Sequence, residues 1–319
     1  MEAALDPAGP PPAEGMVWIP GGTFTMGSER HYPEEKPCGP VSVDGFWMDE
    51  TAVTNRQFAQ FVSDTGYVTT AEKSPDPAMY PGADPAMLVP GSITFAKPSG
   101  PVDLSNPMQW WAWTPGAQWR HPWGPASNLD GKEDHPVTQV TWEDAEAYCR
   151  WAGKELPTEV QWERAGRGGI EGAEFAWGDE IAPGGEEKMN RWIGEFPWKF
   201  RPRPGGARKP GTVAVRTFEP NPFGLYEITG NAWEWTKSWY ADSHPEPVSR
   251  CCAPENPLGP GVEASRDPAS GIPRKVLKGG SFLCAENYCS RYRPSSRIPE
   301  SIESSTVHIT FRCVVPDAG

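Results

Sequence analysis

Apolar positions fall at helical spacing in three stretches, and each is announced by a cap. Thr54 with Gln57 forms a capping box ahead of Phe58, Phe61 and Val62, and Gly66 is placed to end that helix. Thr141 precedes Trp142, Ala145, Tyr148, Cys149 and Ala152, with Asp144 in the first turn favouring the helix dipole and Gly153 as the stop. Thr158 with Gln161 opens a shorter helix carrying Val160, Trp162 and Ala165. All three read as scaffold. Two short apolar runs around Pro20-Gly21-Gly22, from Val17 to Gly27, predict a β-hairpin opening the domain. Residues 70 to 130 show little periodicity. There Trp110, Trp111, Trp113, Trp119 and Trp123 stand among prolines and glycines, and they read as anchors of a loop-rich region rather than a ligand groove.

Composition fits that picture. The 319 residues include 38 Pro, 34 Gly and 16 Trp, so long regular elements are limited and tryptophan supplies much of the buried apolar surface. No repeat and no linker divides the chain. One domain is expected from about residue 16 to 315, with a disordered Pro/Ala-rich leader over 1–15 and a tail over 316–319. A formal charge of −13 argues against a phosphate-tracking nucleic-acid partner. The basic run holding Lys199, Arg201, Arg203, Arg208 and Lys209 reads as a solvated loop rather than an anion site. No apolar stretch is long enough for a membrane span, and the N-terminus lacks the pattern of a secretory signal, so no membrane contact and a cytoplasmic location are expected. Seven cysteines is an odd number, which leaves at least one thiol outside any disulfide framework.

The histidines, at 31, 121, 135, 244 and 308, form no H-E-x-x-H pattern, and Walker, GxGxxG and G-x-S-x-G motifs do not occur. Weight shifts to Cys284 and Cys289, five positions apart after Gly279-Gly280. Extended, such residues lie roughly 17 Å from each other, so their sulfurs meet only if the chain folds back. On spacing alone the pair reads as a short disulfide, half of a zinc site, two unrelated core cysteines, or a soft-metal or redox centre. A second cluster, Gly224 to Trp235, offers Glu227, Glu234 and turn-forming glycines, the oxygen-donor chemistry of a hard cation or an ordinary turn with exposed acids.

The segments Val17 to Gly27, Asp49 to Asn55, His135 to Val137, Trp151 to Glu159, Gly230 to Trp235, and Lys278 to Arg293 with Phe311-Arg312-Cys313 together resemble the formylglycine-generating enzymes, the sulfatase-modifying factors. The resemblance runs in order over nearly the whole chain. It implies an α+β fold: a single irregular, loop-rich domain of the sulfatase-modifying-factor type, related to C-type lectins. Scaffold motifs are shared across the wider fold family, whereas the G-G-S-x-x-C-x-x-x-Y-C-x-R-Y-R segment marks its cysteine oxidases and is intact here.

The resemblance implies an oxidase that converts a cysteine in a Cys-x-Pro-x-Arg motif of an unfolded or nascent sulfatase to Cα-formylglycine, consuming O2 and a thiol reductant. By position, Cys284 and Cys289 would bind Cu(I), Ser281 and Tyr288 would order substrate or oxygen beside it, and Trp233 would line the oxygen-side pocket. A structural calcium would take Glu227, Gly230, Ala232 and Glu234. A second calcium would begin at Asn190, but the basic run 199–209 stands where its later acidic ligand belongs, so that site is expected to be absent or rebuilt. Cys149 and Cys313 match a pair bridged in exported relatives, and here either a bridge or two buried thiols is open. The second family bridge has lost both partners, at Gly166 and Pro294. Adjacent Cys251 and Cys252 acquire no role.

Departures fall near the substrate side: Thr310 replaces a glycine, and His308 stands where Asn is frequent. A monomer is expected. The alternatives are a non-catalytic peptide- or ligand-binding module on the same scaffold and an iron-dependent sulfoxide synthase. The retained Cys284, Cys289, Ser281 and Tyr288 argue against the first, and the histidine spacing argues against the second.

Overall fold

A computed structural model describes residues 7, 9–78, 82–203, 208–246 and 253–316. The N-terminal strands are β1 (Met16–Ile19), β2 (Gly22–Met26), β3 (Gly39–Val43) and β4 (Phe46–Asp49). β1 and β2 were legible as the two apolar runs, but β3, β4 and the pairing were not, and the hairpin expectation is corrected. β1 pairs antiparallel with β4 and β2 with β3, so the Pro20-Gly21 corner passes the chain from one sheet to the next instead of returning it. The cause is a close crossing of two corners. A side chain on Gly21 would meet the Gly45 backbone nitrogen at 2.7 Å, so the backbones approach through paired glycines.

All three helices form where their caps place them. α1 (Asn55–Thr65) starts at a Thr54/Gln57 capping box and ends at Gly66 in the left-handed conformation. α2 (Trp142–Trp151) has Asp144 completing the box with Thr141, a closer role than the dipole alone. α3 (Glu159–Arg167) starts at Thr158/Gln161 and stops at Gly168. Inside the aperiodic region a hairpin of β5 (Gly91–Phe95) and β6 (Trp111–Pro115) carries the tryptophan cluster, with Trp110 and Trp119 buried as anchors.

A short ribbon of β7 (Gly194–Glu195) and β8 (Lys199–Phe200) precedes the central sheet. That sheet contains β9 (Trp233–Trp239), β10 (Arg274–Lys278), β11 (Arg297–Ser301) and β12 (Ile309–Thr310) in the order β11-β10-β9-β12, with β12 parallel to β9. The last strand, β13 (Val314–Pro316), joins β4. Helix α3 lies against β2, β3, β9 and β10, so one core sits between it and the N-terminal sheet. A second core holds α1, α2 and the inner face of β9, and a third, aromatic one (Phe95, Trp110, Trp192, Phe196) lies beneath Phe282 and Leu283. The architecture is the expected α+β, loop-rich one. The leader expectation falls partly outside the described residues; Gly15, its last residue, accepts a hydrogen bond from the Glu50 N–H. Cys251, Cys252 and residues 317–319 lie outside them as well. Among the described residues, no helix is long and apolar enough to cross a membrane.

Buried ion pairs lock these layers. Arg312, wholly buried, donates from Nε and Nη2 to both oxygens of Glu234, each at 2.8 Å, and the Trp162 indole N–H donates to the same carboxylate at 2.7 Å. Removing one partner strands a buried charge. Arg312→Met is therefore expected to lower unfolding free energy by about 3–5 kcal/mol, read by urea denaturation. A loss no larger than that of an exposed pair would show that the ion pair does not hold the layers.

Candidate active site

The segment after β10 folds back because of its glycines. Gly279 and Gly280 both take positive φ, 92° and 76°. A side chain on Gly280 would meet the Arg291 carbonyl at 2.8 Å and Tyr292 Cα at 2.9 Å, so the outgoing and returning strands of the loop touch at this residue. Between them, the Cys284 N–H donates to the Ser281 carbonyl and the Cys289 N–H to the Ala285 carbonyl, two successive turns. They bring Cys284 Sγ to 3.2 Å from Cys289 Sγ, with both residues unbridged. The reading of two unrelated core cysteines is thereby set aside.

The two thiols differ in setting. Cys284 is buried in the core against Trp233 and Tyr292, whereas Cys289 is partly exposed. Burial pushes the Cys284 thiol up, and the hydrogen bond with Cys289 adds to that. Cys289 moves the opposite way, down to about 7, because Cys284 donates to its sulfur and Arg291 lies against it. Arg291 is itself fixed: its guanidinium stacks over Tyr32 at 3.6 Å and donates to Glu34 at 2.5 and 3.0 Å. The setting therefore favours loss of the first proton from the rim sulfur, Cys289, over the buried one.

Around it, the Ser281 N–H points at Cys284 Sγ at 3.4 Å, and Ser281 Oγ pairs with His308 Nδ1 at 3.0 Å. Tyr288 stacks on Phe196 with centroids 4.6 Å apart and meets Trp110 edge-on, leaving the residue 39% exposed. Trp233 is deeply buried, and its backbone N–H donates to the His308 carbonyl. Four of the residues singled out in sequence, Cys284, Cys289, Ser281 and Tyr288, are thus gathered in one loop, with Trp233 behind it. The sulfurs form a soft, two-thiolate donor set that fits Cu(I). Among the described residues, no group of three or more His, Cys, Asp or Glu side chains is placed to hold a metal ion.

The acidic turn is a different matter. Glu227 takes positive φ, and its carboxylate accepts the Arg216 and Phe218 backbone N–H groups at 2.9 and 3.0 Å. Arg312 and Trp162 occupy three of the four acceptor positions of Glu234. The Asn190 amide oxygen accepts from Arg203 at 3.3 Å, so a guanidinium stands where a second cation was considered. Cys149 and Cys313 lie with sulfurs 3.1 Å apart, as buried thiols.

Residues 2–316 match the model of the sulfatase-modifying factor enzyme 1-like domain. The chain belongs to the formylglycine-generating enzyme family. It is 48% identical over 301 residues to the formylglycine-generating enzyme of Mycobacterium tuberculosis, covering 94% of this chain and 97% of that protein. It is 42% identical over 310 residues to that of Thermomonospora curvata, covering 94% and 93%. Among solved structures, PvdO from Pseudomonas aeruginosa superposes with a TM-score of 0.62 at 16% identity over 98% of this chain and all of that one, a likeness of fold.

For a formylglycine-generating enzyme the cysteine loop was legible, but its supports were not. Tyr32 and Glu34 precede Arg291 by more than 250 residues and carry no motif of their own. With the Cys289 thiol pulled down to about 7 and Cys284 pushed up, iodoacetamide is expected to alkylate Cys289 before Cys284, with a rate that rises through a midpoint near pH 7 and falls away below it. Peptide mapping by mass spectrometry reads both, and faster labelling of Cys284 would reverse the assignment.

Proposed function

We propose that this enzyme oxidises a cysteine in a Cys-x-Pro-x-Arg segment of an unfolded sulfatase-like protein to Cα-formylglycine, with O2 as oxidant, a thiol as reductant and Cu(I) held by Cys284 and Cys289. The observation that carries the reading is the sulfur pair at 3.2 Å, one thiol anchored in the core and one reaching the surface. Cuprous ion bound there supplies a soft Lewis acid for a third thiolate, that of the substrate, and a one-electron route to O2. The balance closes as one peptidyl cysteine thiol, one O2 and two reductant thiols giving one aldehyde, one hydrogen sulfide, one disulfide and one water. O2 takes four electrons, two from the cysteine Cβ and two from the reductant.

The chain's own residues do the rest. Arg291, steadied by Tyr32 and Glu34, stabilises the Cys289 thiolate. Cys284 must lose its proton to act as a second thiolate, which burial resists, so metal and proton exchange at this sulfur. Ser281 lies against Cys284 and offers a hydroxyl at the site, and Tyr288, stacked on the buried Phe196, leaves part of its side chain exposed for contact with an extended peptide. The net charge of −13 suits a segment carrying arginine.

Cys284→Ser and Cys289→Ser are each expected to abolish aldehyde formation on a Cys-x-Pro-x-Arg peptide supplied with dithiothreitol and air, followed by mass spectrometry. Full turnover in either variant, or turnover insensitive to a strong Cu(I) chelator, would overturn the copper-thiolate reading.

A calcium at the turn 227–234 belongs to the same reading. Its oxygen donors are hard, Glu227 faces a cavity of about 300 Å³, and Thr229 Oγ1 beside it is buried without a hydrogen-bond partner. Burial raises the Glu227 pKa, a cost that a cation would offset. Glu227 and the Gly230 and Ala232 carbonyls would hold the ion, with Glu234 at most a shared donor. Millimolar calcium should raise the melting temperature of the wild type and not that of Glu227→Gln; equal shifts would remove the site.

A further inference from the structure

Ser281 is wholly buried, so its hydroxyl orientation is set by protein partners rather than by solvent. Its Oγ accepts the Leu283 N–H at 3.2 Å and lies 3.0 Å from His308 Nδ1. Its backbone N–H is spent on Cys284 Sγ, so this one residue bridges the buried thiol and the imidazole. His308 is held from three sides. The Trp233 N–H donates to its carbonyl at 2.8 Å, its own N–H donates to Thr306 Oγ1 at 3.4 Å, and Trp111 meets its ring edge-on with centroids 4.9 Å apart.

We propose that His308 is a positioning residue that decides whether the Ser281 hydroxyl presents its proton or a lone pair to the reacting groups beside Cys284. This rests on the reading above, in which the substrate thiolate and O2 meet at that place. A neutral imidazole has two tautomers. With the proton on Nε2, Nδ1 accepts the Ser281 hydroxyl hydrogen and a lone pair of Oγ is left for an incoming donor. With the proton on Nδ1, the ring donates to Oγ and the hydroxyl hydrogen is free for an acceptor such as a thiolate. Burial holds the ring neutral, its pKa down near 3, and no carboxylate contributes to that shift. An asparagine at this place would need to rotate its amide to exchange donor for acceptor, whereas the imidazole does so by moving one proton.

The test uses the full chain, first without substrate. In nitrogen-15 histidine spectra, the His308 signals, assigned by their loss in His308→Asn, should show a neutral ring whose Nδ1 shift moves by several parts per million in Ser281→Ala. An Nδ1 resonance unmoved by that substitution would overturn the pairing. In turnover, His308→Leu should lower kcat by about tenfold, the worth of one buried hydrogen bond, with KM for the peptide unchanged. It should have no further effect in the Ser281→Ala background, and His308→Asn should recover most of the rate. Independent, multiplying effects of the two substitutions, or a change confined to KM, would overturn the proposal. A wild type that forms no aldehyde at all would instead sink the oxidase reading, and the spectra would still decide the pairing.

Discussion

The buried guanidinium of Arg312 constrains more of this molecule than any other single group. Each of its five N–H bonds has an acceptor: two on Glu234, and the carbonyls of Tyr226, Asp49 and Glu50. A guanidinium cannot shed its proton, so its burial is tolerable only if every one of those acceptors arrives together. They come from the end of β4, the acidic turn and β9, while the guanidinium comes from the C-terminal segment. The consequence reaches the active loop. Glu234 also takes the Trp162 indole N–H, and that ring sits where any side chain on Gly279 would go, at 3.0 Å. The Gly279 carbonyl accepts from Gly230, closing the path from the ion pair to the first residue of the cysteine loop.

The same device is repeated on the far side of the loop. Glu35 takes both terminal nitrogens of Arg293, Glu159 pairs with Arg297, and Glu163 is shared by Arg167 and Lys278. Burial opposes ionisation of Glu159 and Glu163, yet the adjacent cations Arg297 and Lys278 hold both carboxyls well below the usual range. Such pairs add little net stability compared with apolar packing, but a shift of one position on either strand would leave charges unpaired in the interior. In a chain rich in proline and glycine and short of long elements, this gives the loop from Lys278 to Arg297 a single path.

What the sequence disclosed follows from range. The helices were legible because a capping box needs only residues three apart, and Thr54, Thr141 and Thr158 each made theirs. The strands β1 and β2 were legible as apolar runs, but their partners lie beyond a turn whose direction depends on the Gly21–Gly45 crossing, which no local pattern encodes. Cys284 and Cys289 could be named because the motif around them is contiguous. Tyr32, Glu34 and His308 could not be given roles, since each acts on the loop only after the fold has brought it there. Glu234 shows another limit: its ion pair with Arg312, 78 residues away, is a long-range contact that no local pattern announces.

The difference between the two cysteines is the functional consequence of this scaffold. A thiol fixed in the core cannot move to meet a substrate, and a thiolate at the surface cannot by itself hold its orientation. Placed 3.2 Å apart, they divide the work: Cys284 fixes position through the core around Trp233, and Cys289 supplies charge through Arg291. Arg291 is in turn braced by Glu34, whose carbonyl also accepts from Arg297 at 3.1 Å. The rim thiolate is therefore tied to the same buried ion-pair frame as the core thiol. A reaction that needs both sulfurs in register needs both of those ties, and the chain spends its buried arginines on providing them.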